Sequence, residues 1–113
     1  MITKRKPTHP GEILEEDYIK PLTLNLGKLA DRLGISRNTL FKIRSGKASI
    51  TPAIALALAE AFDTTPQLWL NLQANYDLWM EKREHKQVQP IVKNGEITPG
   101  ARNLQIAASP YAR

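Results

Sequence analysis

The chain has 113 residues, a net charge of +5 at pH 7, a hydrophobic fraction of 42% and no cysteine. This length suits one domain with short tails, and the lack of cysteine excludes disulfides and thiolate metal sites and fits a reducing cytoplasm. The N-terminus lacks the apolar run of a secretory signal, and the longest apolar stretch, 53–59, is too short to cross a bilayer. The positive charge indicates an anionic partner without identifying it.

The first segment, residues 1–8, is basic and polar, and we expect a flexible arm there. Its basic side chains suit either phosphate contacts or a solvated tail: Lys4, Arg5 and Lys6. A first helix is predicted from Pro10, because proline suits the first turn of a helix, and His9 is expected to cap it. The helix should end at Lys20-Pro21, since the residue before a proline disfavours helical dihedral angles.

The first helix is acidic along part of its surface. The acids are Glu12, Glu15, Glu16 and Asp17. Such a surface can steer a basic protein partner. It also suits an ordinary solvated face, because carboxylates are favourable near a helix N-terminus. Both interpretations fit the sequence.

Residues 26–46 have the pattern of two short helices joined by a turn. Asn25 and Ser36 are predicted N-caps, and Gly34 is predicted to end the first of the two helices in a left-handed conformation. Apolar side chains recur at helical spacing on the predicted inner faces, at Leu26, Leu29, Ala30, Leu33, Ile35, Leu40 and Ile43. This is the layout of a helix-turn-helix, whose second helix reads the major groove of DNA.

The predicted outer face of the second helix carries side chains suited to DNA. Arg37 and Asn38 can hydrogen-bond base edges, and Phe41 can cover a thymine methyl group. Four basic residues are predicted to contact phosphates: Lys28, Lys42, Arg44 and Lys47. Hydroxyl or backbone-amide contacts to phosphate are predicted at Ser36, Thr39 and Ser49. The alternative is a helical hairpin whose basic face is only solvated.

The distribution of charge favours the DNA interpretation. Residues 20–50 hold seven Lys or Arg and one acid, whereas residues 10–19 hold four acids and no base. Residues 51–80 hold three acids and no base. Positive charge is therefore concentrated around the predicted reading helix, as DNA binding requires.

Two further helices are predicted. Thr51 and Pro52 open one that is apolar on nearly every side, so we expect a buried central helix. Thr65 caps the last helix, which runs from Pro66 to about Lys86. Its aromatic and apolar stripe suits either the core or a dimer contact: Trp69, Leu72, Gln73, Tyr76, Trp79 and Met80. A dimer would place two reading helices one duplex turn apart on a palindrome.

The remaining residues, 87–113, change character. Proline, glycine and polar residues replace the helical pattern. A weak strand pair is predicted within residues 89–98, around the turn signal Asn94-Gly95. The rest of this tail is expected to be mobile, extended or ordered only by a partner.

Four segments in order along residues 8–82 resemble HigA-type antitoxins. These antitoxins, which include the virulence-associated protein I-like proteins, belong to the Xre/phage-repressor helix-turn-helix group. The segments are HPGEIL at 9–14, GISRNTL at 34–40, ITP at 50–52, and WLNLQA at 69–74 followed by YDLW at 76–79. The last is the most specific of the four.

The resemblance implies an all-α, five-helix domain of the Xre/lambda-repressor type. Together with the residue patterns, it divides the chain into a basic arm (1–8), a helix-turn-helix domain with a C-terminal dimerisation helix (9–86) and an extended C-terminal tail (87–113), which lies outside the resemblance. It implies a bacterial cytoplasmic homodimer that binds a palindromic operator in its own promoter and is nucleoid-associated when bound. It also implies neutralisation of a basic HigB-type toxin, a RelE-like enzyme that cleaves mRNA on the ribosome.

By position, the resemblance assigns DNA contacts to Ser36, Arg37, Asn38, Thr39 and Lys42. Phe41 departs from the family, which usually has a small or polar residue there. Two alternatives fit the sequence as well: a stand-alone repressor without a toxin, and a protein-binding module that has lost DNA binding.

An enzyme is not expected, nor a cofactor or metal. His9 and His85 lie far apart, outside any acid–base constellation, and the acids of the first helix lack histidine or cysteine partners for a metal. The glycines form no phosphate-binding loop and are interpreted as turn or helix-end residues: Gly11, Gly27, Gly34 and Gly46.

Overall fold

A computed structural model describes residues 5–104, apart from the side chain of Arg102. In this range the chain forms five helices, as the sequence predicts. The first helix is continuous through α1 (Pro10–Ile13), a π-helical stretch (Leu14–Ile19) and α2 (Lys20–Leu22). The other four are α3 (Leu26–Leu33), α4 (Arg37–Arg44), α5 (Pro52–Phe62) and α6 (Pro66–Lys82). Strands β1 (Val92–Lys93) and β2 (Glu96–Ile97) and a 3-10 helix (Pro99–Leu104) follow.

The first helix continues past Lys20-Pro21, so the prediction that it ends there was wrong. The backbone N–H of Lys20 donates to the carbonyl of Glu15, five residues earlier, which is the bonding of a π-helix. In an α-helix, the ring of proline collides with the carbonyl four residues before it. The wider π turn shifts that carbonyl and accommodates Pro21. The helix ends instead at Thr23, which is left-handed with φ of 52°.

Each predicted helix start is confirmed by a side-chain cap. In every case a side-chain atom accepts a hydrogen bond from a backbone N–H of the first turn. The capping residues are His9, Asn25, Ser36, Thr51 and Thr65. The local sequence therefore fixes where these helices begin, before any tertiary contact is considered.

The core is formed by the inner faces of the five helices around Trp69, which is fully buried. Leu14, Leu40, Ile43, Leu58 and Pro10 are also large and fully buried. The expectation of a buried central helix holds for only one face of α5: Ile54, Ala55, Leu58 and Ala59 are buried, whereas Leu56 is 55% exposed. This helix packs against α3 and α6 on one side only.

The part that follows α6 is mostly exposed. The helix ends at Lys82 rather than Lys86, where the side chains become charged and have no apolar face to bury. The predicted turn at Asn94-Gly95 is confirmed, with φ of 56° and 82°, and it pairs Val92 with Ile97 across two antiparallel strands. The expectations for Lys4 and for residues 105–113 lie outside the described residues. No helix within 5–104 is long and apolar enough to cross a membrane.

Candidate nucleic-acid interface

The α3–α4 pair is the predicted helix-turn-helix. Its turn is formed by a left-handed glycine and a backbone hydrogen bond. Gly34 is left-handed with φ of 73°, which L side chains disfavour. The N–H of Ile35 then donates to the carbonyl of Ala30 at 3.0 Å and closes the end of α3. Ser36 begins α4 directly afterwards. The two helices are thus joined by three residues, 34–36, so their relative direction is tightly restricted.

Burial of one side of α4 exposes the other. Leu40 is 1% exposed and Ile43 is fully buried. The helical repeat therefore directs Arg37, Asn38 and Lys42 outward, and all three are exposed. Phe41 is also on the surface, at 49% exposure. Basic and amide donors on one exposed helix face suit phosphates and base edges in a major groove.

The start of α4 is held by its two hydroxyl residues. Ser36 Oγ accepts from the N–H of Thr39 at 3.0 Å and donates to Thr39 Oγ1 at 2.9 Å. Both hydroxyls therefore order the helix start. Their predicted phosphate contacts, and that of the exposed Ser49, remain predictions.

The guanidinium group of Arg37, from α4, lies next to Gly27 of α3. A Cβ on Gly27 would stand 2.5 Å from Arg37 Nη2 and 2.8 Å from Nε. Gly27 is buried and is the second residue of α3, so it lies at a helix end, which the sequence interpretation allowed. A glycine in the first turn of a predicted helix was the available signal for this contact.

Arg44 does not belong with the phosphate-contacting residues. Its guanidinium forms an ion pair and a hydrogen bond with Glu15 of the first helix, and both side chains are largely buried. It also lies 5.6 Å from the centre of the Phe41 ring. The prediction for Arg44 was wrong because the first helix packs against α4, which the local sequence does not show. Lys28, Lys42 and Lys47 remain exposed.

The backbones of the first helix and α4 are in close contact at a second glycine, Gly11. A Cβ on Gly11 would stand 1.7 Å from the carbonyl oxygen of Ile43 and 3.1 Å from the α-carbon of Arg44. Gly11 is therefore a close-approach residue as well as a helix-end glycine, because it is the second residue of α1. This contact fixes the position of α4 against the rest of the domain.

Comparisons with known proteins agree with this geometry. A helix-turn-helix family model matches residues 16–69. The antitoxin HigA-1 of Vibrio cholerae is 34% identical over 80% of this chain and 86% of its own. A helix-turn-helix transcriptional regulator of Haemophilus influenzae is 44% identical over 80% and 83%. The chain belongs to the HigA-type helix-turn-helix family.

A solved structure shows the same fold over more of the chain. The antitoxin GraA in complex with its operator matches with a TM-score of 0.72 and 34% identity, over 82% of this chain and 99% of that one. The resemblance drawn from the four sequence segments is thus confirmed, as is the all-α fold.

The stripe on α6 of this HigA-type protein is divided between core and surface. Trp69 is fully buried and its Nε1 donates to Thr64 Oγ1 at 2.8 Å. Gln73 is also buried, and its Oε1 accepts from the N–H of Ile50 at 2.8 Å. Both residues belong to the core of their own chain, so placing them at a dimer contact was wrong. Helical periodicity shows that these side chains share one face of α6, but it does not show whether that face packs in the core of its own chain or against a second copy.

The rest of the stripe is more accessible. Leu72, Tyr76 and Trp79 are half-buried, and Met80 is 38% exposed. Leu78 beside them is 58% exposed. These side chains leave an apolar surface on the second half of α6, and the predicted dimer contact there stays a prediction.

His9 is a structural residue of the HigA-type fold. Its Nδ1 accepts from the N–H of Gly11 at 2.9 Å, and its ring lies edge-on to Tyr76 with centres 4.9 Å apart. Burial lowers the pKa of His9, although a hydrogen bond to the backbone of Ala48 and the nearby carboxylates of Asp77 and Glu12 act in the opposite direction. The neutral ring is therefore the form that fits this site. Among residues 5–104, no three potential metal ligands lie together.

Proposed function

We propose that this protein is a HigA-type antitoxin that represses its own operon by binding a palindromic operator through α4. One observation carries the DNA-binding part: Asn38 and Lys42 are exposed on the face of α4 opposite the buried Leu40 and Ile43, and Arg37 is exposed beside them at the start of the helix. This arrangement offers base-reading and phosphate-binding donors together on one rigid helix.

Related proteins support the same proposal. GraA has been solved in complex with its operator, and the Pseudomonas aeruginosa antitoxin HigA with the higBA promoter. We assign base contacts to Arg37 and Asn38, a thymine contact to Phe41, and phosphate contacts to Lys28, Lys42 and Lys47. Ser36, Thr39 and Ser49 complete this set with hydroxyl or backbone-amide contacts to phosphates.

For the toxin, we propose neutralisation by protein–protein binding. The name of the V. cholerae relative and the four sequence segments support this part. The acidic first helix offers a surface for a basic partner, but only part of it is available. Glu15 pairs with Arg44, and Glu16 pairs with Lys20 at 2.8 Å. Glu12 and Asp17, both exposed, are the acids we assign to steering.

For the oligomer, we propose a homodimer formed through the second half of α6. Tyr76, Trp79 and Met80 would supply the contact, with Leu78 beside them. Aromatic and methionine side chains are enriched at such interfaces. A dimer of this kind supplies the two reading helices that a palindromic operator needs.

DNA binding is tested by fluorescence anisotropy on a duplex taken from the region upstream of the protein's own reading frame, beside a scrambled duplex. Arg37→Ala should weaken binding to the upstream duplex by about 5- to 150-fold and relax preference at one base pair. Lys47→Ala should weaken both duplexes alike and reduce the salt dependence. Lys93→Ala, on the exposed strand β1, is the basic control and should change neither. Equal losses for Arg37→Ala on both duplexes would contradict base reading.

A second candidate function is a stand-alone transcriptional regulator, which the H. influenzae relative favours by its name. Co-expression with the product of the adjacent gene separates the two. If the chain is an antitoxin, the product of the adjacent gene should be a small basic protein that copurifies with it. That product alone should arrest growth, and co-expression of the chain should restore growth. A neighbour that neither binds nor arrests growth would support the stand-alone regulator.

A further inference from the structure

We propose that Gly27 positions Arg37 for base reading. The missing side chain at Gly27 leaves space on α3 in which the guanidinium of Arg37 lies. This restricts the directions from which Arg37 can reach a guanine edge. The inference rests on the proposed function, because it matters to DNA only if Arg37 contacts a base.

The nearest neighbours of position 27 all belong to one side chain. The three heavy atoms nearest to a Cβ at position 27 are Nη2, Cζ and Nε of Arg37, at 2.5, 2.7 and 2.8 Å. Real Cβ atoms essentially never approach other atoms this closely. Because all three atoms are near, the guanidinium lies along position 27 rather than touching it with its tip. An alanine would displace the whole group.

The helix itself does not require glycine here. Glycine inside a helix is less stable than alanine at the same place. At Gly34 and Gly46 a positive φ explains the residue, and at Gly11 the backbone of Ile43 explains it. Gly27 has no positive φ, and its nearest neighbour is a flexible side chain. Space for Arg37 is the feature that explains Gly27.

The arrangement gives Arg37 an advantage in binding. An arginine side chain loses considerable rotamer freedom when it is fixed against a base. A guanidinium already held on α3 has lost part of that freedom in the free protein, so less remains to be lost on binding. Its exposure keeps its donors available to the bidentate guanine contact.

The test is a double-mutant cycle of Gly27→Ala and Arg37→Ala on the upstream duplex and on duplexes with single base changes. Gly27→Ala should fold with unchanged or raised thermal stability, bind about tenfold more weakly, and lose preference at the same base pair as Arg37→Ala. The double variant should bind no more weakly than Arg37→Ala alone. The matched control is Gly100→Ala, where the nearest atom to an added Cβ is 3.9 Å away, and it should leave affinity unchanged.

Two results would overturn the inference. One is wild-type affinity and base preference in Gly27→Ala. The other is additive losses in the double variant, which would show that Gly27 acts through something other than Arg37. If Arg37→Ala binds the upstream duplex with wild-type affinity, the proposed DNA contact of Arg37 is wrong, and the inference that depends on it is wrong as well.

A measurement without DNA separates these failures. Nitrogen-15 relaxation of the Arg37 Nε–H group should show a restricted side chain in the wild-type protein and a freer one in Gly27→Ala. Equal mobility in both proteins would overturn the inference even if Arg37 contacts DNA. A mobility difference together with unchanged DNA binding of Gly27→Ala would show that the contact on α3 restrains Arg37 without aiding base reading, and it would also overturn the inference.

Discussion

Two glycines bring neighbouring helices close to α4, and the two contacts are of opposite kinds. Gly11 lies against the backbone carbonyl of Ile43, which cannot move without moving α4. Gly27 lies against the guanidinium of Arg37, the end of a side chain, which can be displaced without moving the backbone of α4. The same residue type therefore serves the fold on the inner side of α4 and the exposed face on the outer side. The rigidity of the group next to the glycine, rather than the glycine itself, determines whether the contact supports the fold or the exposed face.

The inner side of α4 is accordingly fixed by several contacts. The Gly11 approach, the Glu15–Arg44 ion pair and the burial of Leu40 and Ile43 all hold it against the domain. The outer side carries Arg37, Asn38 and Lys42 in contact with solvent. A substitution on the inner side should change stability, and one on the outer side should change DNA binding alone.

The largest effect is expected for Gly11→Ala. A Cβ at 1.7 Å from a backbone oxygen forces α1 and α4 apart. We expect a loss of about 3 kcal/mol or more in the free energy of unfolding, measured by urea titration. Gly27→Ala is the control from the outer side and should not lose stability. Equal stabilities of the two variants would contradict the distinction between the two glycines.

A smaller effect is expected when the inner ion pair is broken. Glu15→Gln leaves the largely buried charge of Arg44 without its carboxylate. We expect a loss of about 1 kcal/mol in unfolding free energy, reduced from the cost of a fully buried pair by partial exposure. Glu16→Gln breaks the exposed pair with Lys20 and should cost less than about 0.5 kcal/mol. Identical losses of unfolding free energy in the two variants would show that the Glu15–Arg44 pair stabilises the fold no more than the exposed Glu16–Lys20 pair does.

The smallest effect is a pH dependence at His9. Because burial lowers its pKa below 6.5, the folded protein binds a proton less readily than the unfolded chain does. Stability from neutral His9 should be complete above about pH 6.5 and should decrease as the pH falls below that value. Urea unfolding between pH 5 and 8 measures this. His9→Gln should remove that part of the dependence, and an unchanged profile would show that His9 does not cause it.

Local features of this fold were predictable from the sequence. Caps such as Asn25, Ser36 and Thr65 act on backbone groups a few residues away, and the Asn94-Gly95 turn needs only its own dihedral angles. The exposed face of α4 followed from the burial pattern of Leu40 and Ile43. Local chemistry and helical periodicity were sufficient for these.

Features that depend on a distant segment were not predictable. The ion pair of Arg44 requires Glu15 to lie beside it, and the burial of Trp69 and Gln73 depends on the elements around α6. Pro21 was misleading because the π-helical stretch before it removes the expected collision. The roles of Gly11 and Gly27 likewise appear only once the helices are packed.

The assignment of α4 as the DNA-reading element is tested most directly by amide nitrogen-15 NMR spectra of the protein during titration with its own upstream duplex. The largest shift changes should fall on residues 36–42 and the following turn, with the acidic side of the first helix nearly unchanged. Changes centred on the first helix or on α6, or none at saturating duplex, would contradict DNA reading by α4.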